Sequence, residues 1–345
     1  MNRRALKIIM NASNMHTGGG KTMLVDALNA VKDMKHIIFI VYVDERFDEK
    51  SFLAKNITFK KCKLYKRIFI IKNIQKLSEV GDIIIYFGNL PPFIRHNTKT
   101  ILFQSNRMLI ENYPLAKYPL KVKIKVFLEK VLVRLCINNV DEIIVQTLTM
   151  KDIIKSFRIN KFKGKIRILP FKNLEEQLAN LSLRESESFL YVAGADPHKN
   201  HKNLLKAWKL LDSEGIRPKL YLTIDDDSFI SEYNFIKTFI DKNKLNVSIK
   251  PRLNRQDLLG YFTKVSALIY PSVFEAYGLP LIEAQKFNLP IIASELDYVR
   301  DLIDPNESFD PHSPRSISRS VKRFLAIKEV RKPILTSEQL FKEIL

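Results

Sequence analysis

The chain has 345 residues, 46% of them apolar, which is enough for two domains with separate cores. The formal net charge is +20, and all of it lies in the first half: residues 1–172 carry 33 basic and 13 acidic side chains, whereas residues 173–345 carry 24 of each. No apolar run is long enough for a membrane-spanning helix or a signal peptide, and two cysteines exclude a disulfide framework and fit a reducing cytoplasm.

The first predicted strand, Leu6–Asn11, runs into a glycine turn, Gly18–Gly20, that we expect just before a helix. Glycines let a ligand approach the backbone closely, and a helix N-terminus favours a diphosphate. Gly20–Thr22 also matches the end of a P-loop, but that motif needs a glycine where this chain has Met15. A tight turn that binds no ligand is the other alternative.

Strands and helices then alternate, which predicts a parallel sheet covered on both faces. The predicted strands of this half are Ile37–Val43, Ile57–Cys62, Asp82–Phe87, Thr100–Gln104, Glu142–Thr147 and Arg167–Pro170. Polar residues, Asn106 among them, follow the fourth of these, where they would face a ligand.

Two segments account for much of the positive charge, Lys60–Lys76 and Leu115–Ile137. The second alternates lysines with apolar residues, namely Leu120, Val122, Val126 and Val133. A basic amphipathic helix of this kind can lie on an anionic membrane surface. The alternative is a solvated helix whose apolar face packs on the core. Neither segment shows the aromatic stacking pattern of a nucleic-acid site.

The stretch 172–187 is polar and without periodicity, so we predict a linker there, between a first domain, 1–171, and a second, 188–345. Phe189–Gly194 is expected to open a new sheet, and Asn200 or His201 to begin a helix. Asp225–Asp227 with Ser228 reads as a helix cap rather than a metal site. Further strands are predicted at Leu220–Ile224 and Val247–Pro251.

Two glutamates follow another buried strand, Ala267–Tyr270. Glu275 is expected on a loop at the carboxyl end of that strand, and Glu283 one turn into a helix whose first residue is Pro280. In a doubly wound sheet, ligands bind in the crevice at this end of the strands.

The sequence FEAYGLP, with seven residues between Glu275 and Glu283, resembles the motif of the family 4 glycosyltransferases (glycosyl transferases group 1). These are retaining enzymes of the GT-B architecture. The resemblance implies an α/β fold of two Rossmann-like domains that face each other across a cleft. It also implies sugar transfer from a nucleotide-sugar to an acceptor hydroxyl, with no metal or other cofactor. In this family the first glutamate faces the donor sugar and the second binds the ribose.

The resemblance extends to other positions. Lys199 and Asn200 stand as the Lys-Asn pair that holds the donor diphosphate, with Lys199 in a catalytic role beside Glu275, whereas Ala195 replaces the usual arginine. Further donor-binding residues are expected at Gly19, Gly20, Arg252, Leu253, Ala276, Tyr277, Gly278 and Leu279, and acceptor-side residues at His16, Thr17 and Asn106.

The expected function is therefore glycosyl transfer in the assembly of a bacterial-type cell-surface polysaccharide, O-antigen or capsule, on a glycan or lipid-linked acceptor. The expected location is the cytoplasm, peripherally on the inner face of the membrane, with no nucleic-acid partner. The alternatives are a sugar-nucleotide epimerase or phosphorylase of the same architecture, a P-loop-like nucleotide hydrolase or switch, and a non-catalytic glycan-binding protein.

Overall fold

The computed structural model describes residues 5–16, 18–49, 52, 54–63, 67–156, 162–172, 184–224, 229–251, 253–329, 336 and 344. These residues form two separate parallel β-sheets, the first within residues 6–168 and the second within residues 185–309. Helices connect most successive strands, which is the arrangement that covers a parallel sheet on its faces. None of the helices within these ranges is both long and apolar enough to cross a bilayer.

The first sheet has seven strands: β1 (Leu6–Asn11), β2 (Ile37–Asp44), β3 (Ile57–Cys62), β4 (Ile83–Tyr86), β5 (Lys99–Phe103), β6 (Glu142–Val145) and β7 (Lys165–Ile168). Their order is β3-β2-β1-β4-β5-β6-β7, with every neighbouring pair parallel. The helices are α1 (Gly18–Val31), α2 (Arg67–Leu77), α3 (Leu120–Cys136) and α4 (Leu148–Ser156). The strand order reverses between β1 and β4, so α1 begins at a topological switch point.

Buried side chains cover both faces of this sheet. Ile9 and Met10 are neighbours in β1 and belong to different clusters, because successive residues of a strand point to opposite faces. One cluster contains residues of α1, such as Leu24, and the other contains Ile74 of α2 and Val133 of α3. Helices α2 and α3 therefore lie on the same face of the sheet.

The second sheet has six strands: β8 (Glu185–Val192), β9 (Lys219–Thr223), β10 (Val247–Lys250), β11 (Val265–Tyr270), β12 (Ile291–Ser294) and β13 (Glu307–Phe309). They are parallel, in the order β10-β9-β8-β11-β12-β13. The helices of this half are α5 (His201–Ser213), α6 (Ile230–Asn243), α7 (Arg255–Lys264), α8 (Leu279–Lys286), α9 (Asp297–Arg300) and α10 (Pro314–Phe324). Here the switch point lies between β8 and β11, the strands that precede Lys199 and Glu275.

The chain divides into two compact units, each of which combines segments that are not contiguous in the sequence. The second unit holds the second sheet, whereas Phe274–Asn288 and Leu296–Asp304 group with the first sheet in the first unit. The candidate glutamates, with α8, therefore belong to the first unit. The predicted domain boundaries at 171 and 188 stay a prediction, and most of the predicted linker, 173–183, lies outside the described residues.

The predicted elements are present, with four differences. Helix α1 begins at Gly18, so the glycines form its first turn instead of preceding it. Strand β8 begins at Glu185, inside the predicted linker, and α8 begins at Leu279, so that Pro280 is its second residue. Leu120 does not share the inner face of α3 with Val126 and Val133: it is exposed and the two valines are buried. The predicted cap at Asp227-Ser228 lies outside the described residues.

Candidate functional site

The segment that carries both glutamates follows strand β11 directly. The loop after the strand begins with Pro271, Ser272 and Val273. Gly278 then adopts a left-handed conformation (φ 72°) as the N-cap of α8. Glycine suits that backbone conformation, and proline suits the first turn of the helix that follows. Glu275 is half-buried on the loop, and Glu283 is buried within α8.

Arg107 fixes the loop around Glu275. Its Nη1 donates a hydrogen bond of 3.2 Å to the Glu275 carbonyl oxygen, and its guanidinium carbon lies 4.6 Å from the centre of the Phe274 ring. Its Nε also donates to the Glu111 carboxylate. The Phe274 ring in turn packs against the Tyr113 ring, with 4.2 Å between the ring centres and a tilt of 37°. Arg107 was not among the predicted site residues, although its neighbour Asn106 was.

The glycine turn contacts the start of α8. A Cβ on Gly19 would lie 3.3 Å from Leu279 Cδ1, so the first turn of α1 approaches the first residue of α8 closely. The first turns of the two helices are therefore in contact through the Leu279 side chain. In α8 Pro280 has no N–H and the Leu281 N–H donates to the Gly278 carbonyl oxygen (2.9 Å), so the N–H groups that suit an anion lie mainly at the start of α1. A Cβ on Gly20 would lie 2.8 Å from Met15 Sδ. The Met15 side chain thus packs against the glycine turn. Met15 is also the residue that stands where the P-loop pattern requires a glycine.

A buried lysine links α1 to α8. The Lys172 side chain is 2% exposed, and its Nζ lies 2.9 Å from Asp26 Oδ2 and 3.3 Å from Glu283 Oε1. The ammonium group compensates the charge of both carboxylates in a place where an uncompensated charge would be costly. The sequence analysis placed Lys172 in a polar linker and did not select it or Asp26.

Tyr277 and Ala276 complete the packing of the motif in the first unit. Tyr277 is buried and hydrogen-bonded to the backbone of Phe171, and burial raises the pKa of its hydroxyl despite that hydrogen bond. Ala276 packs against the core on the side of α2 and α3. These residues, selected as donor-binding, position the loop; whether they touch a donor stays a prediction.

Lys199 and Asn200 lie in the second unit, after β8. Lys199 ends a short 3-10 helix, Pro197–Lys199, and its carbonyl oxygen accepts a 2.7 Å hydrogen bond from the Tyr191 hydroxyl. Asn200 is left-handed (φ 62°), and its Nδ2 donates to the carbonyl oxygens of Pro271 (3.0 Å) and Pro311 (2.7 Å). The Lys199 turn is therefore fixed to the residues that end β11.

The His198 backbone adds two further hydrogen bonds between this turn and the residues that follow β11. Its carbonyl oxygen accepts hydrogen bonds from the backbone N–H of Val273 (3.0 Å) and from the Ser272 hydroxyl (3.2 Å). The next histidine, His201, is buried, and burial, with Lys199 and His198 nearby, lowers its pKa to about 3. His201 is thus uncharged at neutral pH. Ala195, where the resemblance leads one to expect an arginine, is buried as well.

The remaining predicted residues are less informative. The Asn106 side chain accepts a 3.1 Å hydrogen bond from Met108 N, which gives it a local role as a helix cap. His16 and Leu253 are half-buried, and Thr17 and Arg252 lie outside the described residues. Where the structure is described, no three His, Cys, Asp or Glu side chains converge as a metal site would require.

Two buried amides lie close to these positions in the first sheet: Gln104 was expected among the polar residues that follow β5 but was not selected as a site residue, and Gln146 was not predicted. Gln104 and Gln146 directly follow β5 and β6, at the same edge of the first sheet, and are 1% and 3% exposed. Gln104 Nε2 donates to the Asn106 carbonyl oxygen, whereas neither Gln104 Oε1 nor either polar atom of the Gln146 amide has a hydrogen-bond partner among the described residues. Nothing in the local sequence pattern distinguishes a buried glutamine from an exposed one.

Comparison with known proteins agrees with this architecture. Residues 174–335 match the family described as "Glycosyl transferases group 1". The structure superposes on that of Anabaena Alr3699/HepE in complex with UDP and glucose with a TM-score of 0.63, over 93% of this chain and 90% of that one, at 11% identity. At this level of identity the likeness shows the fold, and the predicted GT-B architecture is confirmed.

Curated relatives match at low identity. The O-antigen chain mannosyltransferase RfbU of Salmonella typhimurium strain LT2 is 22% identical over 70% of this chain and 66% of its own length. The serotype-specific mannosyltransferase WbdA of Escherichia coli is 26% identical over 46% of this chain and 19% of its own length. The matches thus span slightly under two thirds of RfbU and about a fifth of WbdA. The predicted resemblance to glycosyl transferases group 1 is confirmed, and the family number 4 stays a prediction.

The first prediction concerns the buried lysine. Lys172→Met removes the ammonium that contacts Asp26 and Glu283, and we expect the free energy of unfolding to fall by roughly 3–5 kcal/mol. Urea denaturation measures it. Lys163→Met, at an exposed lysine, is the matched control. A loss no larger than that of the control would contradict the ion-pair arrangement.

The second prediction separates the two properties of Asn200. Asn200→Gly keeps the left-handed backbone accessible but removes the bonds to Pro271 and Pro311, which we expect to cost roughly 2 kcal/mol. Asn200→Ala should cost about 1–2 kcal/mol more, because alanine tolerates that conformation poorly. Thermal denaturation of both variants tests this. Equal stability of the alanine and glycine variants would show that the backbone conformation is not the constraint.

Proposed function

We propose that this chain, a GT-B protein with a glycosyl transferases group 1 region at 174–335, is a retaining glycosyltransferase that uses a nucleoside-diphosphate sugar. One observation carries the proposal: the side chain of Leu279, the first residue of the helix that bears Glu283, contacts Gly19 in the first turn of α1. That arrangement suits a negatively charged, hydroxyl-rich ligand.

The leaving diphosphate needs positive potential as its bond to the sugar breaks. In the first unit, the N–H groups at the start of α1 are preorganised donors. In the second unit, Lys199 is held by its backbone hydrogen bonds and supplies a full charge. We assign the role of the missing arginine at Ala195 to Lys199, since His201 is uncharged at neutral pH, its pKa being lowered to about 3.

The two glutamates have different proposed roles. Glu275 orients the donor sugar and steadies the positive charge that develops at the anomeric carbon. Glu283 accepts hydrogen bonds from the ribose hydroxyls, and Lys172 holds its carboxylate in place for this purpose. In a retaining reaction the acceptor hydroxyl attacks from the face that the diphosphate leaves, and a diphosphate oxygen takes the proton. Arg107 acts as a positioning residue, through the Glu275 backbone.

The names of the relatives suggest which substrates to test first. RfbU and WbdA are mannosyltransferases of O-antigen or serotype-specific polysaccharide, so mannose is the first candidate sugar. We propose an acceptor that is a glycan or a lipid-linked glycan of a cell-surface polysaccharide, and no metal cofactor. A thermal-shift screen of nucleotide-sugars identifies the donor, because a ligand that binds only the folded state raises Tm.

The third prediction tests Glu275. Glu275→Gln keeps the shape of the side chain but removes its charge, so kcat should fall by about 100-fold or more while donor affinity changes little. Product analysis by NMR gives both the rate and the anomeric configuration. Glu45→Gln, an exposed glutamate of the same unit, is the control. Equal losses in kcat and affinity, or a product of inverted configuration, would count against the assigned role.

The fourth prediction tests Lys199. Lys199→Ala should weaken binding of the nucleoside diphosphate by about tenfold or more, the usual worth of a charge-assisted contact. Isothermal titration calorimetry measures the Kd. Lys206→Ala removes an exposed lysine from the helix that follows and should leave the Kd unchanged. An unaltered Kd in the Lys199 variant would exclude this lysine from the diphosphate site.

A further inference from the structure

Helix α3 is apolar on two opposite sides. Its inner side packs on the core, with Val126 at 6% and Val133 at 0% exposure. At about 100° per residue, five large apolar side chains fall on a single stripe opposite these valines. This outer stripe consists of Leu120, Ile124, Phe127, Leu128 and Leu135, which are 51–76% exposed.

The outer stripe does not belong to either core cluster of the first unit. A helix that only covers a sheet places charged or polar residues on its outer side. Single exposed leucines are common on protein surfaces, but a continuous apolar stripe along a helix of 17 residues marks a place of contact.

Basic side chains flank the outer stripe on both edges. Lys121 and Lys125 follow one edge, and Lys123, Lys130 and Arg134 follow the other, by the same helical arithmetic. The single acidic residue of the helix, Glu129, lies toward the inner side and is half-buried. The contact surface is thus an apolar centre with a positive border.

Helix α2 lies on the same face of the sheet and has a similar exposed side. Ile70, Ile71 and Ile74 face the core, whereas Phe69 is 63% exposed. Lys72 and Lys76 are exposed and fall on the same side of the helix as Phe69. Both helices therefore share one feature, exposed apolar side chains beside lysines.

We infer that the outer face of α3, with Phe69 of α2, docks on an anionic lipid bilayer, the apolar stripe entering the acyl boundary and the lysines contacting the headgroups. This chemistry is specific to a lipid surface, because the apolar side chains need a nonaqueous phase while the flanking ammonium groups keep their charge at its edge. Lysines near anionic lipids add electrostatic attraction.

A second copy of this chain fits the face less well. Self-association through α3 would bring two rows of lysines together, and like charges across an interface are repulsive. The whole excess of +20 lies in residues 1–172, which include both helices, so the long-range attraction to a negative surface acts on this half of the chain.

The inference is tested by sedimentation of the full chain with vesicles. Wild-type protein should bind vesicles of phosphatidylcholine mixed with phosphatidylglycerol, and bind pure phosphatidylcholine weakly. The double variant Phe127→Ser/Leu128→Ser should reduce binding by roughly tenfold or more. The triple variant Lys121→Gln/Lys123→Gln/Lys125→Gln should reduce it similarly and remove most of its dependence on salt.

Controls separate docking from folding and from catalysis. Lys206→Gln/Lys209→Gln changes exposed lysines of α5 and should bind as wild type. All substituted residues except Lys123 are exposed, so Tm and nucleotide binding should be retained. Vesicle binding needs no sugar donor. The membrane inference can therefore hold where the proposed glycosyl transfer fails, and the proposed transfer can hold where vesicle binding fails.

A second measurement reports directly whether the outer stripe of α3 enters the bilayer. Leu128→Trp places an indole on the outer stripe, and its fluorescence should shift to the blue and be quenched by brominated lipids when anionic vesicles are added. Trp208, the single native tryptophan, is buried and serves as the unquenched background. Absence of quenching of the introduced indole, equal binding by the serine variant, or a wild-type dimer that this variant dissociates without any vesicle binding would each overturn the inference.

Discussion

The close approach of the two predicted donor-binding elements depends on a missing side chain. Gly19 in the first turn of α1 and Leu279 at the start of α8 are so near that a Cβ on the glycine would be in tight contact. Because of this, helix α8 packs with the first unit although it connects two strands of the second sheet. The buried position of Glu283 and the ion pairs of Lys172 both depend on where α8 lies.

Two cations, Lys172 and Arg107, then hold α8 and the Glu275 loop in place. The Lys172 ammonium is shared between carboxylates from α1 and α8, and the Arg107 guanidinium is shared between Glu111, the Phe274 ring and the Glu275 carbonyl. Each cation joins segments far apart in the sequence. Removing the charged partners of either cation would destabilise the protein, because a buried charge needs its counter-charge.

The sequence predicted the strands and the motif well because their signals are local. Short apolar runs gave the strands, and Gly278 with Pro280 gave the start of α8. Arg107 could not be found in this way, because its partners Phe274 and Glu275 lie more than 160 residues further along the chain. Lys172 was missed for a related reason: a lysine in a polar stretch looks solvated until tertiary packing buries it. In α3 both sides are apolar, so periodicity alone could not say that Val126 is inside and Leu120 outside.

The buried imidazole of His201 sets an acid limit for the second unit. Its pKa is lowered to about 3 from an ordinary value of 6.5, so in mild acid the unfolded chain takes up a proton that the folded chain excludes. The stabilisation is complete above about pH 6.5 and is lost progressively as the pH falls toward 3. His201 directly follows the Lys199–Asn200 turn, so acidification weakens the protein at the very residues that are proposed to meet the phosphates. Acid is therefore expected to lower the free energy of unfolding through an imidazole that takes no part in the proposed chemistry.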